Sequence, residues 1–533
     1  MSFNAADLQG VLPAIILSVG ALFLLTSEVF LRNVRPAVLG HAGGIPTSPA
    51  ERVEAKLPPG AQGASPSAVT PPDRRYQAWV AAAFAALGLW ASLAQLGDPA
   101  IAIFNGTAAS DGFARVVAAV VCGSLLLSCL VAFGYLEALR ATRGEFYALA
   151  LFSAAGMCLL GQATDLIVIF ISLEAMSLAV YCLTAYLRRG RRPAEAAFKY
   201  FVLGSFASAI FLYGAALAYG ATASTRLVDI SAALRGGGSG LIWAAAALVI
   251  VGFAFKVAAV PFHMWVPDVY DGAPAPVTGF MAAAVKVAAF ATLVRILLGG
   301  FGDPVAALGA HGWQRLVVWL AGLTMVVGNL LAIPQRSVKR MLAYSSIAHA
   351  GYLLVAVAAM AGPLPRQDAI GGLLFYLASY GATVIGAFGV VAIIERKLAL
   401  SGAGDDLSSW AGLSERHPAL AAAMSLFMVS LAGIPPTAGF MAKLTVFRAA
   451  VSAELVPLAV LGVLTSVGGL YYYLRVVVYV YMMPTTKPDA VMGERLVAAG
   501  LALIGCAVLV VWMGVQPGAF ASVAQNAVAV FSR

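Results

Sequence analysis

The sequence predicts an all-α polytopic membrane protein of about fourteen transmembrane helices, built on inverted five-helix repeats, on three observations. First, 61% of its 533 residues are hydrophobic and only 11% are charged. A globular domain of that length needs far more charge on its surface. Second, apolar stretches of about twenty residues, the length that crosses a bilayer at 1.5 Å rise per residue, recur along the whole chain. Third, two of those stretches are interrupted by Pro and Gly at comparable places, in AFKVAAVPFHMWVP and in LAGIPPTAGFMAKL.

Taken in order, the stretches predict spans over 11–31, 76–97, 113–136, 145–162, 165–187, 195–222, 241–262 and 275–299. Six more follow over 313–333, 337–360, 369–395, 418–448, 455–483 and 493–516. No basic segment precedes Val11–Leu31, which is long enough to span, so it is expected to be a first membrane helix and not a cleaved signal. Arg32–Arg75 is rich in Pro, Gly, Ser and Ala and has no apolar periodicity, as a flexible loop would. Gly236–Gly240 (GGGSG) marks a second loop. The expected organisation is therefore residues 1–112 as two helices around the 32–75 loop, 113–516 as the working core, and 517–533 as a tail.

Basic residues set the orientation. Most lysines and arginines between spans fall after odd-numbered ones, including Arg140, Arg143, Arg192, Arg336, Lys339 and Arg396. The positive-inside rule places those loops in the cytoplasm and both termini on the opposite, periplasmic side. The formal net charge of +9 accordingly speaks of topology and says nothing of nucleic acid, which is not expected as a partner.

The interrupted spans, the seventh and the twelfth, lie five apart. Spans 4–8 and 9–13 thus read as two five-helix repeats, the odd number inverting the second. Proline removes a backbone donor and clashes with the preceding turn. In hydrocarbon an opened backbone persists only where protein or a water-filled cavity covers it.

Few ionisable side chains lie deep within the spans: Glu174, Lys199, Lys256, Lys286, His349, Lys443 and Arg475. A charge at mid-bilayer costs about 2.5–3.5 kcal/mol on insertion scales. Lys256 and Lys286 carry that cost twice within thirty-one residues. A desolvated lysine exchanges its proton nearer neutral pH, and coupled sites shift one another, so a row of such groups is suited to passing protons. The bland alternative is a set of buried ion pairs that only fix helix packing. Against it, cations outnumber anions at depth. Arg475 keeps its charge under all conditions and is expected to be structural. Lys199 lies near the cytoplasmic end of its helix, where it is able to snorkel, and His349 suits either helix packing or proton transfer. Lys339 and Arg340 read as orientation signals. Cys122, Cys129, Cys158, Cys182 and Cys506 all fall in apolar segments without CxxC or His spacing, so neither zinc nor an iron–sulfur cluster is expected. No GxGxxG or Walker pattern occurs.

FKVAAVPFHMWVPDVYDGAPAPVTGFMAAAVKVAAF resembles the antiporter-like membrane subunits of respiratory complex I, and within them the N subunit, counterpart of mitochondrial NADH dehydrogenase subunit 2. LEAMSLAVYCL, EAAFKYFVLGSFASAIFLYG, VKRMLAYSSIAHAGYLL and GIPPTAGFMAKLTVF support it, so that it covers most of the chain from about residue 113. By that resemblance the family's proton-relay glutamate is Glu174 and its lysines are Lys256, Lys286 and Lys443; Lys199 and His349 are further candidate site residues from their place in the spans. A lysine at 443 favours the N subunit over the M type, which is similar but carries glutamate there, and no long lateral helix of the L type follows the last span. The Arg32–Arg75 segment is longer than the family's usual first loop.

The resemblance implies a proton-translocating subunit of a bacterial NADH:quinone oxidoreductase in the inner membrane, surrounded by lipid and by other membrane-arm and peripheral-arm subunits. It implies no cofactor on this chain, with NADH, FMN, iron–sulfur clusters and quinone held by those partners. The alternatives are a subunit of a sodium/proton antiporter or membrane-bound hydrogenase of the same fold, and a non-conducting scaffold.

Overall fold

The computed structural model describes residues 5–33, 75–187, 191–235, 240–302, 307–309, 312–362, 366–401, 406–484 and 497–532. Almost all of the predicted 32–75 loop, and most of the Gly236–Gly240 signal, lie outside them. Among the described residues twelve helices are long and apolar enough to cross a membrane, and two shorter apolar ones, Gly240–Lys256 and Pro418–Ala432, are the first halves of broken helices.

The first two helices are α1 (Leu12–Asn33) and α2 (Arg75–Ala94). A hairpin of β1 (Ile101–Ile103) and β2 (Ala108–Ser110) follows, antiparallel with Ala102 opposite Ala109. Then come α3 (Gly112–Ala138), α4 (Gly144–Gln162), α5 (Leu166–Thr184) and α6 (Arg191–Thr222). The seventh helix is split into α7a (Gly240–Lys256) and α7b (Trp265–Gly272). Next are α8 (Ala275–Gly300), α9 (Trp313–Ala332), α10 (Val338–Ala359) and α11 (Arg366–Ser401). The twelfth is split into α12a (Pro418–Ala432) and α12b (Ala438–Ser452), ahead of α13 (Val456–Met482) and α14 (Val497–Val515). Finally α15 (Pro517–Val528) is helical where the sequence reading has only a tail. The β-hairpin and the short helix Leu227–Arg235 were also not anticipated; both are too short to show in a span-length window.

Burial sorts these helices into a centre and a rim. The apolar windows of α8, α10 and α11 are 94% buried, whereas those of α1, α6 and α13 are only 39%, 39% and 33% buried. The exposed rim carries Phe198, Phe206, Trp319 and Leu464, an outward apolar surface that suits lipid and not water. The buried lysine of α8 and the histidine of α10 therefore sit in the middle of the bundle, behind at least one layer of protein.

Both breaks satisfy the backbone groups they open. In α7, Val257–Met264 leaves the helix around the cis Val260–Pro261 bond. The Val260 N–H donates to Thr324 Oγ1 of α9 at 2.9 Å, and Trp265 Nε1 donates to the Phe255 carbonyl at 3.1 Å. In α12, Gly433 ends the first half in a left-handed conformation (φ 82°), and the Leu431 and Ala432 carbonyls are taken by Lys443 Nζ at 2.9 Å each. Each break is thus covered by side chains of the bundle, as hydrocarbon requires.

The alternation predicted from the basic loops is visible in the contacts. At one end the start of α2 meets the end of α3 (Arg75 to Glu137), the start of α6 meets α7b (Lys199 to Asp268), and the start of α10 meets the end of α11 (Lys339 to Glu395). At the other end Gln162 of α4 donates to the Gly10 carbonyl at 2.8 Å, and Thr225 donates to Asp165, the cap of α5.

Small residues let the backbones of α9 and α10 meet closely. A Cβ built at Gly328 would lie 2.6 Å from the Ala348 nitrogen, and one at Gly351 would lie 2.7 Å from the Met325 nitrogen. Neither contact has a flexible side chain to yield. Gly351→Leu is expected to force α9 from α10, the helix that carries His349, at a cost of about 1–3 kcal/mol or more. The level of assembled complex on a blue native gel, with Gly351→Ala falling between it and wild type, checks this.

Candidate functional site: a buried file of lysines and hydroxyls

Glu174 lies mid-way along α5, partly buried, and accepts a 2.5 Å hydrogen bond from Ser208 Oγ of α6. Three and seven residues on, Ser177 and Tyr181 occupy the same helical face. They hold Lys256, the last residue of α7a, whose ammonium donates to Ser177 Oγ at 2.9 Å and to Tyr181 OH at 3.3 Å. No ion pair within 4.0 Å joins Glu174 to Lys256; hydroxyls hold the cation, with the carboxylate one turn away along α5. Gly204 of α6 makes that possible, because a Cβ there would fall 2.0 Å from the Tyr181 oxygen.

Lys286 follows a wider, π-helical turn of α8 (Met281–Val285). Its ammonium donates to the Ser346 carbonyl at 2.6 Å and to Ser346 Oγ at 2.7 Å, both on α10, and lies 4.9 Å from the centre of the Tyr380 ring. Tyr380 in turn packs on His349, with ring centres 4.8 Å apart. His349 Nδ1 is 2.7 Å from Tyr376 OH and Nε2 is 3.1 Å from Tyr473 OH, while Tyr473 also bonds Ser345. The chain of polar contacts continues through Tyr472 OH, which donates to Asn329 Oδ1 at 2.9 Å, and Asn329 Nδ2, which donates to Tyr352 OH at 3.0 Å. The Tyr352 ring lies 5.3 Å beneath the Lys443 ammonium, which donates to Ser466 Oγ at 2.7 Å besides the two carbonyls of its own break.

Lys256, Lys286, His349 and Lys443 are thus all at least nine-tenths buried, and hydroxyls, carbonyls and aromatic faces surround them. From Lys286 to Lys443 neighbouring groups touch in sequence. Between Lys256 and Lys286 no side-chain hydrogen bond bridges the interval among the described residues.

Residues 163–468 match the family described as NADH:quinone oxidoreductase/Mrp antiporter, transmembrane. Over 559 aligned positions the chain is 44% identical to NADH-quinone oxidoreductase subunit N of Myxococcus xanthus, covering all of this chain and 99% of that one. The chain belongs to the subunit N family of NADH-quinone oxidoreductases. A chain of the Thermus thermophilus respiratory complex I structure with bound aureothin superposes with a TM-score of 0.72 at 32% identity, covering 96% of this chain and 98% of that one. A chain of the Mrp complex of Dietzia sp. superposes at 0.75 but at 22% identity, over 86% and 93% of the two, which shows a shared fold alone. The antiporter and hydrogenase alternatives therefore gain no support over the complex I assignment.

The remaining predicted residue, Lys199, stands apart from the file. Its side chain is 40% exposed and pairs with Glu195 at 2.7 Å and Asp268 at 2.8 Å, the latter shared with Arg340 at 2.9 Å. It fastens α6 to α7b. Arg475 donates to the Ile333 and Gln335 carbonyls, closing the end of α9.

Two buried charge pairs escaped the sequence reading. Lys339, assigned there to orientation alone, is 1% exposed and donates to Glu395 at 3.1 Å and to the Ala273 carbonyl at 2.8 Å. Arg295, near the end of α8, donates to Asp111 at 2.7 Å and to the Gly161 carbonyl at 2.6 Å. In each case the partner is more than fifty residues away, so only a charge near a span end was legible. The tyrosines and serines of the file were missed for another reason: hydroxyls are common in membrane helices, and their spacing carries no signal until the helices are packed. Among the described residues no three His, Cys, Asp or Glu side chains are grouped to hold a metal ion.

Asp111 also accepts from the Ala114 N–H as the cap of α3, so removing its arginine would leave a carboxylate buried and without its cation. Arg295→Met is expected to destabilise the subunit by about 3–5 kcal/mol. Arg295→Lys should fall between, since an ammonium keeps the charge and loses the fork. Thermal denaturation of the purified complex, followed by loss of this subunit, tests the order.

Proposed function

We propose that this subunit moves protons across the membrane through Glu174, Lys256, Lys286 and Lys443, driven by quinone reduction on other subunits. The observation that carries the reading is that the ammonium groups of Lys256, Lys286 and Lys443, unlike that of Lys339 at the bundle's end, are held by neutral acceptors and not by a carboxylate. A cation locked to a buried anion is costly to discharge, whereas one bonded to hydroxyls and carbonyls gives up its proton to a neighbour more readily. The alternative of a packing scaffold predicts the opposite pattern, lysines matched one to one with acids, as Arg295 is with Asp111.

Each group has a separate task. Glu174, a turn from Ser177, raises or lowers the affinity of Lys256 for its proton with its own charge. Lys286 is the central relay, and His349 with its tyrosines carries the proton on toward α12. Lys443 discharges from the second break. Lys199 holds the end of α6 and takes no proton in transit. Moving one charge through the full potential is worth about 2.3 kcal/mol per 100 mV, the same order as a shift of one to two pKa units between coupled sites. The electron chemistry belongs to partners: NADH, FMN, iron–sulfur clusters and quinone are held by other complex I subunits and not by this chain. The subunit lies in a bacterial inner membrane, against lipid, with the loops after odd-numbered helices in the cytoplasm and both termini in the periplasm.

Lys256→Ala and Lys286→Ala are expected to assemble and yet to lower protons pumped per NADH oxidised by at least about twofold. The measurement is acidification of vesicles containing the purified complex, with subunit content quantified in the same preparation. Assembled complex that pumps at the wild-type ratio with either substitution would overturn the relay. A loss of assembly that leaves pumping per complex unchanged would favour the scaffold.

A further inference from the structure

At the end of the bundle away from the Lys199–Asp268 and Lys339–Glu395 pairs, a recess of about 100 Å³ opens between the first turns of α11, the last turns of α12b, and α15. Asp368, Arg448, Thr445 and Gln525 line it together with Phe375, whose ring meets Phe520 edge-on at 5.8 Å. Among the described residues neither Asp368 nor Arg448 has an ion-pair or hydrogen-bond partner. Both are exposed at the mouth of the recess, whereas Lys199, Arg340, Lys339 and Arg295 close on carboxylates. Two opposite charges lining one small recess without joining each other provide complementary anchors for a ligand that itself carries both signs.

The recess is separate from the lysine file. Thr445, Arg448, Ala449 and Ser452 form one stripe of α12b, at intervals of three and four residues, whereas Lys443 turns to α12a and α13. Arg448 is also bracketed on the outer face of α12b by Leu444 and Val451, 47% and 52% exposed. An arginine set in an uncovered apolar stripe at the end of a span lies where phospholipid headgroups lie. A guanidinium forks onto phosphate oxygens, and a free carboxylate takes an ammonium. Basic pockets between membrane helices bind anionic headgroups, and the added acid here favours one that also carries an ammonium.

We propose that this recess binds the headgroup of a phospholipid bearing a primary ammonium, its phosphodiester on Arg448 and its ammonium on Asp368, with the apolar stripe beside Arg448 against the acyl chains. Such a lipid would tie α11, α12b and α15 together at the membrane surface.

The test uses the purified, assembled complex, delipidated and supplied with photoactivatable phosphatidylethanolamine or photoactivatable phosphatidylglycerol. Crosslinks are mapped by peptide mass spectrometry. Phosphatidylethanolamine is expected to label the segments around 368–375, 445–452 and 517–525 about tenfold more than phosphatidylglycerol, and Arg448→Gln and Asp368→Asn should each lower that labelling about tenfold. Ala521→Phe, which fills the recess and leaves both charges in place, should do the same and serves if a charge variant fails to assemble. Equal labelling by the two lipids in the wild-type complex would overturn the proposal. So would labelling that survives all three substitutions, or labelling abolished by inorganic phosphate alone, which would mark an aqueous anion site.

Discussion

The rest of this structure depends on one constraint: backbone groups opened inside hydrocarbon must be given partners by the protein. Breaking a helix frees carbonyls and N–H groups that water cannot reach, each costing several kcal/mol if left alone. This chain breaks two helices and covers both openings from within the bundle. Thr324 and Trp265 serve the first, and the second is served by Lys443 itself. In the second case the group that repairs the break is the group that carries the charge. Structural need and chemical use coincide at that ammonium.

The same constraint explains why Lys256, Lys286 and Lys443 are held so differently from Arg295. Arg295 is permanently charged, so it takes a carboxylate and a carbonyl and stays fixed. Lys256, Lys286 and Lys443 are surrounded by groups that accept a hydrogen bond without demanding a full positive charge. Their partners tolerate both protonation states. The arrangement also distributes duties by depth: paired charges at both ends of the bundle hold helices in place, and Lys256, Lys286 and Lys443, held by uncharged partners, lie deeper.

Much of this was legible in the residues. Span positions followed from apolar length, and the two broken helices from Pro261 and Pro435–Pro436 inside apolar runs, because bilayer thickness and proline geometry act locally. Lys256, Lys286, His349 and Lys443 stood out as ionisable groups where few are tolerated, and the folded chain buries all four. Lys199 met the same criterion and proved to be half in water, since linear position does not say which way a first-turn side chain leans. The short elements at the bundle's ends went unseen, because a hairpin of three-residue strands and a twelve-residue tail helix carry no span-length signal.

By itself the sequence determined that the chain lives in a membrane, where it crosses, where it breaks and which charges it strands at depth. These follow from the cost of charge and open backbone in hydrocarbon, a cost each residue bears whatever its neighbours are. Only the tertiary structure decided what those charges meet. Lys256 finds hydroxyls of α5 and not Glu174, Lys286 finds Ser346, and Asp268 gathers Lys199 and Arg340. Such pairings join residues dozens of positions apart, and they come into being when helix faces pack.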